Sequence, residues 1–149
     1  MHPPRADRPL DAPRRHQRSL PGDGEDGRYY QSWYPLALSS EVGIGEVVGR
    51  EFLGGRVAVF RTMDGKAAVV SAFCPHLGAD LSIGKVVGEH LRCAFHHWEF
   101  NGVGRCVKTG IGDPPPKTAR LFRFPVAERF GIIWAFNGYE PLFDLPEFE

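Results

Sequence analysis

The 149-residue sequence has little cysteine, no net charge and no long apolar run, and each shortage excludes a class of protein. Its three cysteines, Cys74, Cys93 and Cys106, are too few for the disulfide framework of a small secreted domain. The chain is therefore expected to work reduced, in a cytoplasmic compartment. Eighteen Lys+Arg balance eighteen Asp+Glu, which removes the electrostatic case for nucleic-acid binding. No apolar segment approaches the roughly 20 residues of a membrane-spanning helix, so an integral membrane protein is not expected. What the chain does have is punctuation. Gly 18 and Pro 13 divide it into short segments that read as strands joined by turns.

The first 28 residues differ from the rest. Five prolines (Pro3, Pro4, Pro9, Pro13, Pro21) interrupt them, Leu10 and Leu20 are the only large apolar side chains after Met1, and six arginines mix with five acids. Such a segment cannot bury enough apolar surface to offset its ordering entropy, so residues 1–28 are expected to be a disordered tail and 29–149 the folded domain. Arg14-Arg15 is a twin arginine, but Arg18, Pro21 and Gly22 stand where a secretion signal needs an apolar stretch. The acids likewise argue against a mitochondrial presequence.

Within the folded part, Glu46–Leu53, Arg56–Thr62 and Lys66–Ala72 read as consecutive strands, turned at Gly54-Gly55 and Asp64-Gly65. Shorter strands follow at Lys85–Val87, His90–Arg92, Trp98–Phe100 and Arg105–Val107. Gly88-Glu89 is a turn, and Asn101-Gly102 is a type I′ signal with room for a bulge at Gly104. Leu121–Ala127 and Gly131–Phe136 form the last pair, Gly110–Pro116 is extended because of its three prolines, and Ser39-Ser40-Glu41 is a helical turn. The expected fold class is all-β: an antiparallel β-sandwich or barrel with a small inserted subdomain at about 72–108.

Chemistry concentrates in that insertion. Cys74-Pro75-His76-Leu77-Gly78 and Cys93-Ala94-Phe95-His96-His97-Trp98 each offer one thiol and one imidazole, as Cys-x-His and Cys-x-x-His. Two loops that each deliver one sulfur and one nitrogen can hold a two-iron cluster asymmetrically, thiolates on one iron and imidazoles on the other. The same inventory can bind zinc, although zinc loops usually pair Cys with Cys and His with His. Cys74 as a catalytic nucleophile would leave the second loop idle. Cys106 reads as a buried core residue, His90 as a strand surface residue, and Asp80 as a solvated acid or a tuner of a ligand histidine. Trp33, Trp98 and Trp134 read as core or cluster cover.

These loops, together with Trp98–Cys106 ("WEFNGVGRC") and the closing strands 124–136 ("FPVAERFGIIWAF"), resemble the Rieske [2Fe–2S] domain, specifically the N-terminal domain of the oxygenase component of Rieske non-haem iron oxygenases. The resemblance runs from about Trp33 to Phe148. It implies a Rieske-type fold and a [2Fe–2S] cofactor ligated by Cys74, His76, Cys93 and His96. It also separates branches, since Rieske proteins of the cytochrome complexes have a further cysteine in each loop where Ala79 and Phe95 stand here. Those proteins also have a sulfide-bonding serine after the second loop, at the place of Trp98. Fewer hydrogen bonds to sulfide imply a potential towards the bottom of the Rieske range of roughly −150 to +300 mV. Two positions depart from the family pattern: Ala94 replaces a proline, and His97 replaces a glycine. His97 would strain the turn if its position demands φ > 0, and it competes with His96 as a ligand; spacing favours His96. The resemblance places the loops at an outer tip, with His76 and His96 exposed and the sulfurs deeper, under Trp98 and Phe95.

The resemblance implies one-electron transfer, as the redox domain of, or partner to, a Rieske oxygenase. The alternative is a stand-alone Rieske ferredoxin carrying electrons from a reductase to an oxygenase; a third reading is a regulator with a structural cluster. No histidine follows His97, so the two-histidine mononuclear iron site of such oxygenases is expected outside this stretch. The implied partners are a reductase or ferredoxin and an oxygenase catalytic domain. No catalytic residue is expected in the chain itself.

Overall fold

The structure, a computed structural model, describes residues 29–147; the expected disordered tail lies outside the described residues. Three antiparallel sheets are stacked so that the middle one is covered on both faces. The middle sheet has the order β2 (Val47–Phe52), β3 (Gly55–Arg61), β4 (Ala67–Ser71), β9 (Arg123–Phe124). Double burial explains why β3 reads as an unbroken apolar run rather than as an alternation. Val57 and Val59 face one core, while Ala58 and Phe60 face the other.

The first core lies against a three-stranded sheet, in which β11 (Ile132–Phe136) sits between β1 (Trp33–Leu38) and β10 (Val126–Arg129). Phe52, Phe122, Phe124 and Ile133 fill it. Sequence pattern misses β1, because Pro35 interrupts it. Proline is tolerated in this edge strand, and the pairing with β11 is irregular between Pro35 and Ala37. The single strand expected at Leu121–Ala127 is in fact two, because Pro125 separates β9 from β10 and the chain passes there from one sheet to another.

The second core supports the insertion. It joins Ala58, Phe60, Ala68 and Val70 of the middle sheet to Leu81, Leu91 and Phe100. Here β5 (Lys85–Val87), β6 (His90–Arg92), β7 (Glu99–Phe100) and β8 (Cys106–Lys108) form a small sheet in chain order. The turn at Asn101 differs from the expectation: Gly104, not Gly102, takes the left-handed conformation, at φ 83°. The register of β7 on β8 shifts farther along the hairpin, between Glu99 and Phe100, where Val107 is the extra residue. The β2–β3 turn is also displaced by one residue, to Leu53-Gly54. Helical structure among the described residues is confined to 3₁₀ turns at Ser39–Glu41, as expected, and at Leu81–Ile83. No helix there is long and apolar enough to cross a membrane.

Candidate metal centre

The two loops that carry a cysteine and a histidine fold alike. In the first, the Cys74 N–H donates to Ala79 O at 2.8 Å and the Gly78 N–H to Cys74 O at 2.8 Å. In the second, the Cys93 N–H donates to Trp98 O at 2.8 Å and the His97 N–H to Cys93 O at 3.1 Å. In both, the cysteine carbonyl receives the amide four residues on, and the cysteine amide reaches the carbonyl five residues on. Each turn closes through a left-handed residue, Gly78 at φ 78° and His97 at φ 61°. Glycine adopts this conformation freely; histidine adopts it at a cost. His97 therefore stands at a position that demands φ > 0.

One backbone frame serves two Cys-to-His spacings, since His76 lies two residues after its cysteine and His96 three. Their rings nevertheless converge, with centroids 4.8 Å apart and planes inclined by 71°. Trp98 stacks on His76 at 4.4 Å and 9°, which fixes the plane of that imidazole. Phe95 does not cover the sulfurs as expected. It is 65% exposed and stands beside the His96 ring.

The thiols lie inward of the imidazoles. Cys74 and Cys93 are each 2% exposed and belong to the core beneath the tip, whereas His76 and His96 face solvent. Burial, reinforced by the neighbouring Cys93, pushes the Cys74 thiol up to about 12, although the backbone N–H groups of His76 and Leu77 point at its sulfur and oppose the rise. A thiol so placed stays protonated until a metal cation stabilises its thiolate. Among the described residues no three His, Cys, Asp or Glu side chains gather as around a single metal ion. The four candidates form a sulfur pair inside and an imidazole pair outside. That donor arrangement fits a cluster of two irons with unlike ligands.

Asp80 and His90 behave differently from the sequence reading. Asp80 is not simply a solvated acid and has no histidine partner: half-buried, it caps the Leu81–Ile83 turn through Ser82 N at 2.9 Å and pairs with Arg56 Nε at 2.9 Å. The tip is thereby tied to β3. His90 is not a free surface residue either, since its Nδ1 lies 3.2 Å from Oε1 of the buried Glu99. Arg92 donates to the other Glu99 oxygen from Nε at 3.2 Å and Nη2 at 3.1 Å. Burial raises the Glu99 carboxyl, but the bonds from His90 and Arg92, with the Arg92 and Lys108 charges, outweigh it and hold Glu99 ionised. Cys106 is buried as expected.

Residues 32–124 match the Rieske [2Fe-2S] domain. The chain belongs to that family. Its cofactor is accordingly a Rieske-type [2Fe–2S] cluster, and its role is electron transfer. The Rieske domain is similar to the cholesterol 7-desaturase of Bombyx mori, 37% identical over 123 residues, which cover 80% of this chain and 27% of that protein. It is also 37% identical over 121 residues to the oxygenase component of dicamba O-demethylase from Stenotrophomonas maltophilia, covering 78% of this chain and 35% of that one. A solved structure of apo dicamba monooxygenase superposes with TM-score 0.72 at 37% identity, over 78% of this chain and 37% of the other. The chain thus spans only 27–37% of the length of these relatives.

Proposed function

We propose that this Rieske domain delivers single electrons to the catalytic domain of a Rieske-type oxygenase, with Cys74 and Cys93 holding one iron and His76 and His96 the other. The observation that carries the reading is the pair of buried thiols directly behind a pair of exposed imidazoles. The bound cluster would supply a site that accepts and releases one electron. The protein's part is positional: the matched turns present both cysteines from beneath, and Trp98 holds His76 from the side. Leu77, Phe95 and Ile111 are 62%, 65% and 86% exposed around or near the histidines, an apolar rim suited to docking against the domain that receives or donates the electron. The electron donor is a reductase or ferredoxin. The relatives named above carry the names of cholesterol and of dicamba, so the likeness points to a class of redox protein rather than to a substrate.

Iron and sulfide analysis of the purified full chain tests the assignment. Two irons and two labile sulfides per chain are expected, lost in His96→Gly and kept in His97→Gly. Zinc without sulfide, or loss in His97→Gly alone, overturns it.

A further inference from the structure

Residues 109–116 run past the second cluster loop as a strap pinned at both ends. Thr109 is 4% exposed and its Oγ1 donates to Asp113 O at 2.7 Å, which closes the first turn of the strap on itself. Pro114, Pro115 and Pro116 stiffen the next stretch without any ladder bond. The Ala119 N–H then donates to Pro116 O at 3.0 Å, and the Cys106 N–H donates to Ala119 O at 3.1 Å, returning the chain to β8.

Two glycines in the strap are required for opposite reasons. Gly112 has φ +85° with nothing within 4 Å of where a Cβ would sit, so its requirement is conformational. Gly110 lies outside the left-handed region, and its requirement is steric. A Cβ there would lie 2.2 Å from the His96 carbonyl oxygen, 3.2 Å from the carbonyl carbon and 3.5 Å from the His97 Cβ. Two of these are backbone atoms and cannot swing aside. The carbonyl belongs to the His96–His97 peptide, whose orientation is set by the left-handed φ of His97. The bare face of Gly110 and the strained turn at His97 thus meet across one contact.

We propose that Gly110 is a positioning residue for His96: the strap seats against the His96 peptide and sets where that imidazole stands on the outer face. The proposal rests on His96 being a ligand. Beyond the seat, the strap, both ligand histidines and Trp98 border a cleft of about 590 Å³. A displaced strap would therefore alter both the ligand geometry and the access of a partner to the imidazole edges.

The test compares Gly110→Ala with Gly131→Ala in the full chain loaded with iron and sulfide. The readouts are the electron paramagnetic resonance g-values of the reduced protein and its midpoint potential by voltammetry. Gly110→Ala is expected to keep both irons and to shift both readouts; Gly131→Ala, which strains a left-handed glycine (φ +70°) in the turn before β11, outside the strap, is expected to leave them at the parent values. Unchanged g-values and potential in Gly110→Ala, or an equal shift in Gly131→Ala, overturn the proposal. If Gly110→Ala excludes iron, Thr109→Val takes its place. That variant loosens the strap by removing the bond to Asp113 O, and unchanged readouts there are equally fatal. The underlying ligand reading fails separately, through retention of both irons in His96→Gly.

Discussion

The base and the tip of this molecule share the middle sheet and are held together by different physics. Between the middle sheet and the sheet formed by β1, β10 and β11, the contacts are aromatic and aliphatic, with Phe124 packed edge-on to Phe52 at 5.1 Å and to Phe122 at 4.8 Å. Strands there run up to seven residues. At the tip the strands are two or three residues long, and two of the buried positions are Cys74 and Cys93. Sheets so small do not stabilise themselves. The base should stand without the cluster, whereas the tip should depend on it.

Breaking the ligand set gives the largest expected effect. Cys93→Ser should take the iron content from two per chain to none. Amide exchange at Leu91 and Phe100 should then accelerate by orders of magnitude, while Val59 and Val69 in the base stay protected. A tip that remains protected without metal would contradict the comparison outright. Next in size is Phe124→Ala, which removes a fully buried ring from the base and should cost about 3–5 kcal/mol in denaturant unfolding. Its cluster should keep the parent g-values, because Phe124 belongs to the core away from the tip. Altered g-values there would mean that the two regions are more tightly coupled than their cores suggest.

The two regions also differed in how far the sequence disclosed them. The pairing of the two Cys–His loops was legible, because cysteine and histidine in this order and spacing serve few purposes. The central strands were legible from their apolar runs and turn residues. What stayed hidden depends on tertiary partners. No strand was read at Trp33–Leu38, which holds Pro35 at a sheet edge that tolerates it, and Glu99 drew no reading of its own because its partners Arg92 and His90 lie on the neighbouring strand. Gly110 looked like one more loop glycine. Its role is the closeness of His96, fourteen positions earlier in the chain, and no local pattern records that. Asp80 was misread for a similar reason, since Arg56 is twenty-four positions away.

A smaller effect marks how the base closes at its rim. Arg61 of β3 is largely buried and donates to both oxygens of Glu128 on β10, at 2.9 and 2.7 Å, linking two sheets. The hydrogen bond from Arg61 is the main cause that pulls the Glu128 carboxyl down to about 2. Because the folded value lies below the ordinary 4.5, the pair stabilises the fold above that pH and loses its effect as acid takes the carboxyl through its folded value. Glu128 is a third exposed, so solvent screening limits the contribution to about 1 kcal/mol at neutral pH. Glu128→Gln should therefore be weaker than the parent by that amount at pH 7, and the two unfolding curves should converge near pH 2. A difference that persists at pH 2 would show that the contribution is not the ion pair.

The finest comparison lies within the tip, between two turns of one shape. Gly78 and His97 hold the same position and the same left-handed backbone, yet only one is glycine. A side chain there costs about 1–2 kcal/mol, somewhat less for histidine, which tolerates the region better than most. Glycine in turn loses about 0.5–1 kcal/mol through the greater freedom of its unfolded chain. The two contributions nearly cancel, so His97→Gly should stabilise the loaded protein by no more than about 0.5 kcal/mol and keep both irons. Gly78→His carries the same two contributions in reverse and should destabilise by about the same 0.5 kcal/mol. Thermal unfolding of the two variants with the cluster intact measures the pair. If His97→Gly destabilises as much as Gly78→His, the imidazole of His97 is making a favourable contact that outweighs its strained backbone, and the two turns are not equivalent.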